Sequence, residues 1–376
     1  MLKYLFLILP VLISCKSETK SSSEILIPGD TLSVNYAKGF TIVQYKDFKI
    51  LKVNDPWPGS SRSFTYLLYE EDAGIPEDIE YDHKIRIPVS RIVLTSTTYI
   101  PSLESLNETN TLVGFPGLDF ISSAATRNRI NQNKITEIGS NDALNTELLI
   151  SLKPEVVIGF AINNSNKTFN TIEKSGIPVM YNGDWTEETP LGKAEWIKYF
   201  GALFNKSDEA EKLFNEVASG YNEAREIAAT ATNIPTVLSG SMYKDQWYVP
   251  YGNSWSGLFI EDANANYIYK KTRGSGSRAL AFETVLSEAE NADFWISPGQ
   301  FKSFNQLNES SLHYSRFKAV KERKVYTYSN TFGETGGVLY YELAPNRPDL
   351  VLKDLISIFH PGLLPQHELV FFKPLE

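Results

Sequence analysis

The chain contains few residues of the types that form disulfides or bind transition metals. Its 376 residues include one Cys, three Met and four His. A single Cys cannot form a disulfide within the chain, so stability must come from a packed core. The histidines show no HxxH or HExxH spacing, which argues against a site for a bare Zn or Mn ion. They are His83, His313, His360 and His367.

Basic residues are outnumbered by acidic ones, and familiar catalytic motifs are missing. Lys and Arg number 36 against 45 Asp and Glu, which gives a net charge of -9. Because nucleic acid binds to a basic surface, we expect no nucleic-acid partner. The sequence has no G-x-S-x-G elbow and no Walker loop, and the glycine-rich segment 274–276 follows no clear strand. We predict no enzyme activity, no catalytic residues, no metal ligands and no cofactor, although a bound ligand could itself be a metal chelate.

The N-terminus is typical of an export signal. Lys3 precedes an apolar run at 4–13, which is too short to span a bilayer as a stable helix, and the small residue Ser14 follows. We therefore expect the first residues to direct export and to be removed.

The end of this apolar run resembles the lipobox of bacterial lipoproteins. Residues 12–15 read LISC, and in such proteins the Cys becomes the lipidated first residue of the mature chain. The resemblance implies a lipoprotein signal peptide at 1–14, lipidation of Cys15 and anchoring to a membrane. Residues 15–24 are rich in Ser, Lys and Glu, so they predict a flexible tether.

The rest of the chain is longer than one hydrophobic core usually supports, so we expect two lobes. Before them, residues 25–86 contain short alternating runs that predict a small antiparallel β extension. Its turn at 55–59 (DPWPG) is interpreted as structural. The runs are 41–45, 48–53 and 64–69.

From residue 87 the pattern changes to strands that alternate with helices, which predicts βαβ units and a largely parallel sheet. Several runs are apolar at almost every position, as expected when helices cover both sheet faces. We predict an N-terminal α/β lobe at 87–206 and a C-terminal α/β lobe at 233–376. The predicted strands are 91–95, 111–115, 155–159, 177–181, 236–238, 247–250, 294–296 and 324–328, and the clearest helices are 282–289 and 349–359.

The segment 207–232 predicts one long helix between the lobes. Apolar residues recur there at steps of three and four, which places them on one stripe, and no Pro interrupts the pattern. At 1.5 Å per residue the helical pattern at 207–231 would be roughly 37 Å long. The predicted fold is thus two Rossmann-like α/β lobes joined by a single long helix, with a β extension at the N-terminus.

Four segments resemble the binding proteins of iron-siderophore, haem and cobalamin ABC importers, in which one rigid helix links two lobes. The resemblance implies a monomeric, lipid-anchored receptor that captures a chelate between its lobes and delivers it to a permease and its ATPase. It also implies a periplasmic location, or the cell surface in a single-membrane bacterium. The segments are 87–93 (IPVSRIV), 145–158 (NTELLISLKPEVVI), 282–286 (FETVL) and 347–355 (RPDLVLKDL). Residues 25–84 go beyond the pattern of this family.

The same resemblance implies that one Glu on each lobe contacts the permease. The matching positions are Glu147 and Glu283. Two carboxylates far apart on a rigid body can make charge-assisted contacts that fix the position of a binding protein on its permease. The alternative is that both are ordinary solvated acids at the start of helices.

Aromatic residues near the ends of the predicted strands are candidates for the ligand site. In open α/β lobes ligands bind outside the carboxyl ends of the strands, and aromatic walls suit large planar chelates. Arg278 in the basic segment 270–278 could meet a carboxylate or catecholate, or the segment could be only solvated charge. The aromatic candidates are Tyr99, Phe115, Phe120, Trp185, Tyr243, Trp255, Phe332 and Tyr340.

Two other functions stay open. An enzyme anchored to the cell surface could use the aromatic cleft as a groove for a polymer or an ester, and it would need a nucleophile or an acid/base pair there. A sensor or adhesin could keep the fold without a permease. The choice among iron chelates, haem and cobalamin also stays open, because similar clefts serve all three.

Overall fold

The computed structural model describes residues 29–163 and 166–376. Cys15 and the predicted signal peptide and tether at 1–24 lie outside the described residues. In the described part of the chain, no helix combines the length and the apolar character that crossing a bilayer requires.

The N-terminal extension (residues 29–86) forms a five-stranded sheet in the order β1-β2-β3-β4-β5. Its first three pairings are antiparallel, as predicted, but β4 and β5 are parallel. The long connection at 70–82 explains this difference, because it lets the chain cross back before pairing. The strands are β1 (Asp30–Thr31), β2 (Phe40–Gln44), β3 (Phe48–Asn54), β4 (Ser63–Tyr69) and β5 (His83–Arg86).

This extension shares a core with the first lobe. Phe40 packs on Trp196 with ring centroids 4.7 Å apart, and Trp57 packs on Tyr181 at 5.6 Å. The backbone N–H of Tyr181 also donates to the hydroxyl of Tyr66 at 2.9 Å. The extension is therefore a packed layer of the first lobe rather than a loose appendage.

The first lobe is built on a parallel sheet in the order β12-β11-β6-β7-β8, and β9 pairs with β10 in a small hairpin. β6, β11 and β12 are buried at every position, which explains their continuous apolar sequences. The strands are β6 (Ile92–Leu94), β7 (Leu112–Phe115), β8 (Thr136–Glu137), β9 (Gly139–Ser140), β10 (Ala143–Leu144), β11 (Val156–Gly159) and β12 (Val179–Tyr181). The helices are α1 (Ile100–Ser105), α2 (Ala124–Asn131), α3 (Thr146–Ser151), α4 (Lys167–Lys174), α5 (Pro190–Ala194) and α6 (Ile197–Leu203).

One unbroken helix, α7 (Ser207–Ala229), follows the first lobe. It ends three residues before the predicted boundary, at a cap on Thr230. Its apolar stripe is buried and packs against α6 and the last helix of the chain. The strands of the first parallel sheet all precede α7 and those of the second all follow it, so the chain passes from one sheet to the other once.

The second lobe contains a sheet in the order β16-β13-β18-β19-β20, parallel except for β20, and a three-stranded antiparallel sheet β14-β15-β17. Trp247 and Trp295 pack in its core with centroids 5.2 Å apart. The strands are β13 (Thr236–Ser239), β14 (Ser241–Tyr243), β15 (Gln246–Pro250), β16 (Asn266–Tyr267), β17 (Ser277–Leu280), β18 (Phe294–Ile296), β19 (Val325–Thr327) and β20 (Lys373–Pro374). The helices are α8 (Trp255–Asp262), α9 (Phe282–Ala289), α10 (Phe304–Ser310), α11 (Lys318–Lys321), α12 (Leu339–Leu343) and α13 (Pro348–Phe359). Two α/β lobes on largely parallel sheets confirm the predicted fold class.

Candidate functional site

A cavity of about 440 Å³, the inner chamber, lies between the two lobes. Its walls come from the segments that follow β6 and β12 in the first lobe and β13, β18 and β19 in the second. This is the edge at which open α/β sheets bind ligands. The lining residues are Thr98, Asp184, Trp185, Lys193, Ser239, Gly240, Ser241, Tyr248, Pro250, Trp255, Ser256, Ser277, Ser297, Gly299, Tyr328, Tyr340, Tyr341 and Pro345.

Stacked aromatic rings form one wall of the inner chamber. Tyr328 and Tyr340 lie nearly parallel with centroids 4.5 Å apart, and Trp255 contacts Tyr340 at 5.7 Å. The hydroxyls of Tyr328 and Tyr341 are 3.2 Å apart. Burial raises the pKa of Tyr328 and of Tyr340, so both phenols stay protonated at neutral pH. This wall can offer ring faces to a ligand together with O–H donors.

Lys193 and Asp184 form the charged part of the chamber. The Lys193 ammonium donates to the backbone carbonyls of Asp184 at 3.0 Å and Trp185 at 3.1 Å, and it lies 5.5 Å from the centroid of Trp255. Burial lowers the pKa of Lys193, although the nearby carboxylates of Asp184 and Glu187 act to raise it. Burial raises the pKa of Asp184, although the Lys193 ammonium and a hydrogen bond from Thr98 act to lower it. An ammonium held this way keeps a third N–H for an acceptor on a ligand.

A second cavity of about 360 Å³, the outer chamber, continues from the inner one. The two chambers share the residues between them, chiefly Trp185 and Trp255 from opposite lobes and Lys193. The outer chamber is also lined by Pro58 of the extension and by the loop at 274–277. The two chambers therefore adjoin at Trp185 and Trp255.

Trp185, Trp255 and Tyr340 are the predicted ligand residues that the structure brings together in the cleft. Tyr99 and Phe115 are not there, because their side chains are buried in the first lobe at 1% and 2% exposure. Tyr99 packs on Phe200 at 5.8 Å. Both were correctly expected near strand ends, but their side chains turn towards the core.

The other predicted ligand residues lie elsewhere on the surface. Phe120, Tyr243 and Phe332 are 70%, 64% and 54% exposed and line neither chamber. Arg278 lines a separate cavity of about 630 Å³ in the second lobe, beside Glu288. The cation in the cleft is Lys193 instead.

Sequence reasoning missed Lys193 and three tyrosines, Tyr248, Tyr328 and Tyr341, all of which line the inner chamber. Tyr328 ends the predicted strand 324–328, so the rule that identified its neighbours could have found it. Lys193 lies in α5 and follows no strand directly, so no local signal marks it.

Two further predictions concern metals and the permease. Among residues 29–163 and 166–376 no group of three or more His, Cys, Asp or Glu side chains is placed to hold a metal ion.

Glu147 and Glu283 are both exposed and lie in the first turns of α3 and α9, one on each lobe.

The single linking helix, the two parallel sheets and the cleft between them define a two-lobed solute-binding protein. A family model described as "Periplasmic binding protein" matches residues 92–331. The chain belongs to this family, whose members are binding proteins of ABC transporters.

Two relatives and two solved structures are similar to this chain over most of its length. An uncharacterized lipoprotein of Methanocaldococcus jannaschii is 26% identical over 365 residues, covering 91% of this chain and 85% of the relative. That coverage is more than the chain from residue 87 onwards contains, so the alignment includes part of the extension. A second uncharacterized lipoprotein of the same organism is 26% identical over 345 residues, covering 88% of this chain and 83% of that protein.

Among solved structures, a periplasmic haem-binding protein from Pseudomonas aeruginosa superposes with a TM-score of 0.55 at 15% identity, covering 73% of this chain and 94% of that one. An ABC transporter substrate-binding protein from Listeria monocytogenes superposes with a TM-score of 0.52 at 22% identity, covering 73% and 100%. These likenesses show the fold.

Proposed function

We propose that this protein is the lipid-anchored receptor of an ABC importer and that it captures a bulky metal chelate in the cleft between its lobes. The observation that carries the proposal is the cleft itself, in which aromatic residues of both lobes line the same space as the Lys193 ammonium. The lipoproteins among the relatives support an anchor at Cys15 and an extracytoplasmic location.

The chemistry of the cleft favours a ligand with flat or apolar faces and a few acceptor atoms. Trp185, Trp255 and Tyr340 offer rings against which such faces can pack. Lys193 can donate to a carboxylate or a phenolate oxygen of the ligand. An iron-siderophore complex, haem and cobalamin have these features, and the protein of similar fold from Pseudomonas aeruginosa is described as haem-binding.

Delivery to the membrane is the second half of the proposal. Glu147 and Glu283 are exposed on separate lobes, which suits carboxylates that contact a permease at two points. The single linking helix keeps their spacing nearly constant. The receptor would act as a monomer together with a permease and its ATPase. Because members of the family are transport binding proteins, this reading is favoured over a hydrolase or a sensor without a permease.

The test is a binding titration with four probes: hemin, cyanocobalamin, ferrichrome and ferric tris(acetohydroxamate). Tryptophan fluorescence reports on the cleft because Trp185 and Trp255 line it. We expect at least one probe to quench this fluorescence with a Kd of about 1 μM or lower. We expect Trp255→Ala to weaken binding about tenfold or more. Tyr243→Ala, a change of an exposed aromatic residue outside the chambers, is the control. Failure of all four probes to bind would overturn the proposal.

A further inference from the structure

The turn at residues 55–59 reaches the ligand cleft although it belongs to the N-terminal extension. Pro58 lines the outer chamber together with Trp185, Lys193 and Trp255. Pro58 is exposed, while its neighbour Trp57 is buried at 5% exposure. One residue of the turn thus fixes it to the first lobe, and the next contributes to the chamber wall.

The turn is rigidly held in this position. The backbone N–H of Asp55 donates to the carbonyl of Arg62 at 2.9 Å, and that of Ser60 donates to the carbonyl of Trp57 at 3.0 Å. Trp57 packs on Tyr181, the last residue of β12. A turn closed by two hydrogen bonds and anchored by a buried indole keeps its place when the cleft is empty.

The turn also touches the loop that carries the cleft residues Asp184 and Trp185. A Cβ atom at Gly183 would lie 3.2 Å from the Cα of Pro56, so glycine permits this close approach. A larger residue at position 183 would push the turn and the loop apart. The extension and the ligand loop are therefore one packed unit.

A buried carboxylate joins the extension to the same loop from the other side. Glu187 Oε1 accepts the backbone N–H groups of Lys38 and Gly39, both at 2.9 Å, and the indole N–H of Trp196 at 3.1 Å. Glu187 itself lines the outer chamber. The loop at 182–187 is thus held between two parts of the extension.

We infer that the N-terminal extension is the third wall of the ligand site and that its turn at 55–59 makes the outer chamber a subsite for an arm of the ligand that carries both apolar and hydrogen-bonding groups. Pro58, Trp185, Trp255 and Pro250 form the apolar part of this chamber, and Glu187, Glu188 and Lys193 also line it. Ser256, Ser275 and Ser277 also line it, and their hydroxyls suit amide or hydroxyl groups on the arm. The chelate core would occupy the inner chamber.

This inference rests on the proposed function, and its test uses the same four probes. Pro58→Trp places an indole in the outer chamber. Three of the four probes, hemin, cyanocobalamin and ferrichrome, are called armed probes. For the armed probe that the wild-type protein binds best, we expect the affinity to fall about tenfold in Pro58→Trp. Ferric tris(acetohydroxamate), which has no arm, should bind this variant and the wild type equally. Pro76→Trp makes the same change in the extension away from both chambers and should leave the affinities unchanged.

A second measurement keeps the inference testable if Pro58→Trp does not fold. Hydrogen exchange of the wild-type protein should slow in peptides covering residues 55–62 when the armed probe binds. Binding without this protection, or unchanged affinity of a folded Pro58→Trp, overturns the role of the extension and leaves the receptor proposal intact. Failure of every probe to bind the wild type overturns both.

Discussion

The carboxylate of Glu342 in the second lobe accepts the backbone N–H of Ser122 in the first lobe at 2.6 Å. It also accepts the N–H of Ser123 at 2.9 Å. Beside this pair, the hydroxyl of Ser122 donates to the carbonyl of Gly337 at 2.8 Å. A Cβ at Gly337 would lie 2.2 Å from the carbonyl oxygen of Phe120, so only glycine allows this approach. The lobes are thus joined by a direct contact in addition to α7.

The buried position of Glu342 predicts a pH dependence of stability. Its pKa is raised to about 7, chiefly by burial and also by the nearby Glu104, while the N–H groups of Ser122 and Ser123 act to lower it. In the unfolded chain the pKa is near 4.5. The folded protein therefore binds this proton more tightly, so the stability it contributes is full below pH 4.5 and is lost as the pH rises through about 7.

Glu342→Gln removes this titration. We expect the free energy of unfolding, measured by urea denaturation, to fall less steeply between pH 4.5 and about 7 in the variant than in the wild type. Glu309→Gln, which changes an exposed acid in the same lobe, should keep the wild-type slope. Equal slopes in wild type and Glu342→Gln would show that Glu342 does not titrate in this range.

The elements of the fold could be predicted where burial leaves a mark on the sequence. β11 and β18 are covered on both faces, and their apolar runs predicted these strands at nearly the right residues. The apolar stripe of α7 predicted the linking helix, because one side of this helix is buried. The parallel pairing of β5 was missed, because strand direction depends on where a long connection leads and not on its composition.

The candidate ligand site could be predicted only in part. The position of a residue after a strand tells which edge of the sheet it occupies but not where its side chain points. Trp185 faces the cleft, whereas Tyr99 faces the core, although both follow strands of one sheet. Lys193 and Pro58 enter the site through packing between segments that are distant in sequence, which leaves no local pattern.

Removing the carboxylate of Glu195 should loosen the extension from the first lobe. Glu195 is fully buried and accepts the backbone N–H groups of Asn35, Tyr36 and Ala37 at 2.6 to 3.1 Å. It also pairs with the buried ammonium of Lys198 at 2.9 Å. In Glu195→Ala these donors lose their acceptor, so we expect a loss of about 3–5 kcal/mol in the free energy of unfolding.

Limited proteolysis locates this effect. The extension of Glu195→Ala should be cleaved within residues 29–86 faster than that of the wild type, because its anchor is lost. Glu226→Ala, a change at an exposed position of α7, should match the wild type in stability and cleavage. Wild-type resistance of the extension in Glu195→Ala would mean that the aromatic packing alone holds it.

Lys193→Met should weaken both the protein and its ligand site. The variant keeps the length of the side chain but leaves the carbonyls of Asp184 and Trp185 without their donor. We expect a loss of about 1–3 kcal/mol in the free energy of unfolding, together with a weaker affinity for the bound probe. Urea denaturation and the fluorescence titration measure the two effects. Lys212→Met, a change of an exposed side chain on α7, should alter neither the stability nor the affinity. Full affinity of Lys193→Met would exclude a contact between Lys193 and the ligand.

Replacing Glu147 and Glu283 together should separate delivery from capture. Both carboxylates are exposed and neither lines the cleft, so Glu147→Ala with Glu283→Ala should leave the Kd of the bound probe within about twofold of the wild type. Uptake into cells that express the cognate importer should be abolished, because the variant lacks the two charge-assisted contacts that we propose with the permease. The matched control is Glu209→Ala with Glu226→Ala on α7, which should transport normally. Intact uptake by the Glu147 and Glu283 double variant would leave these two residues as solvated acids at helix starts, and the permease contact would have to lie elsewhere on the lobes.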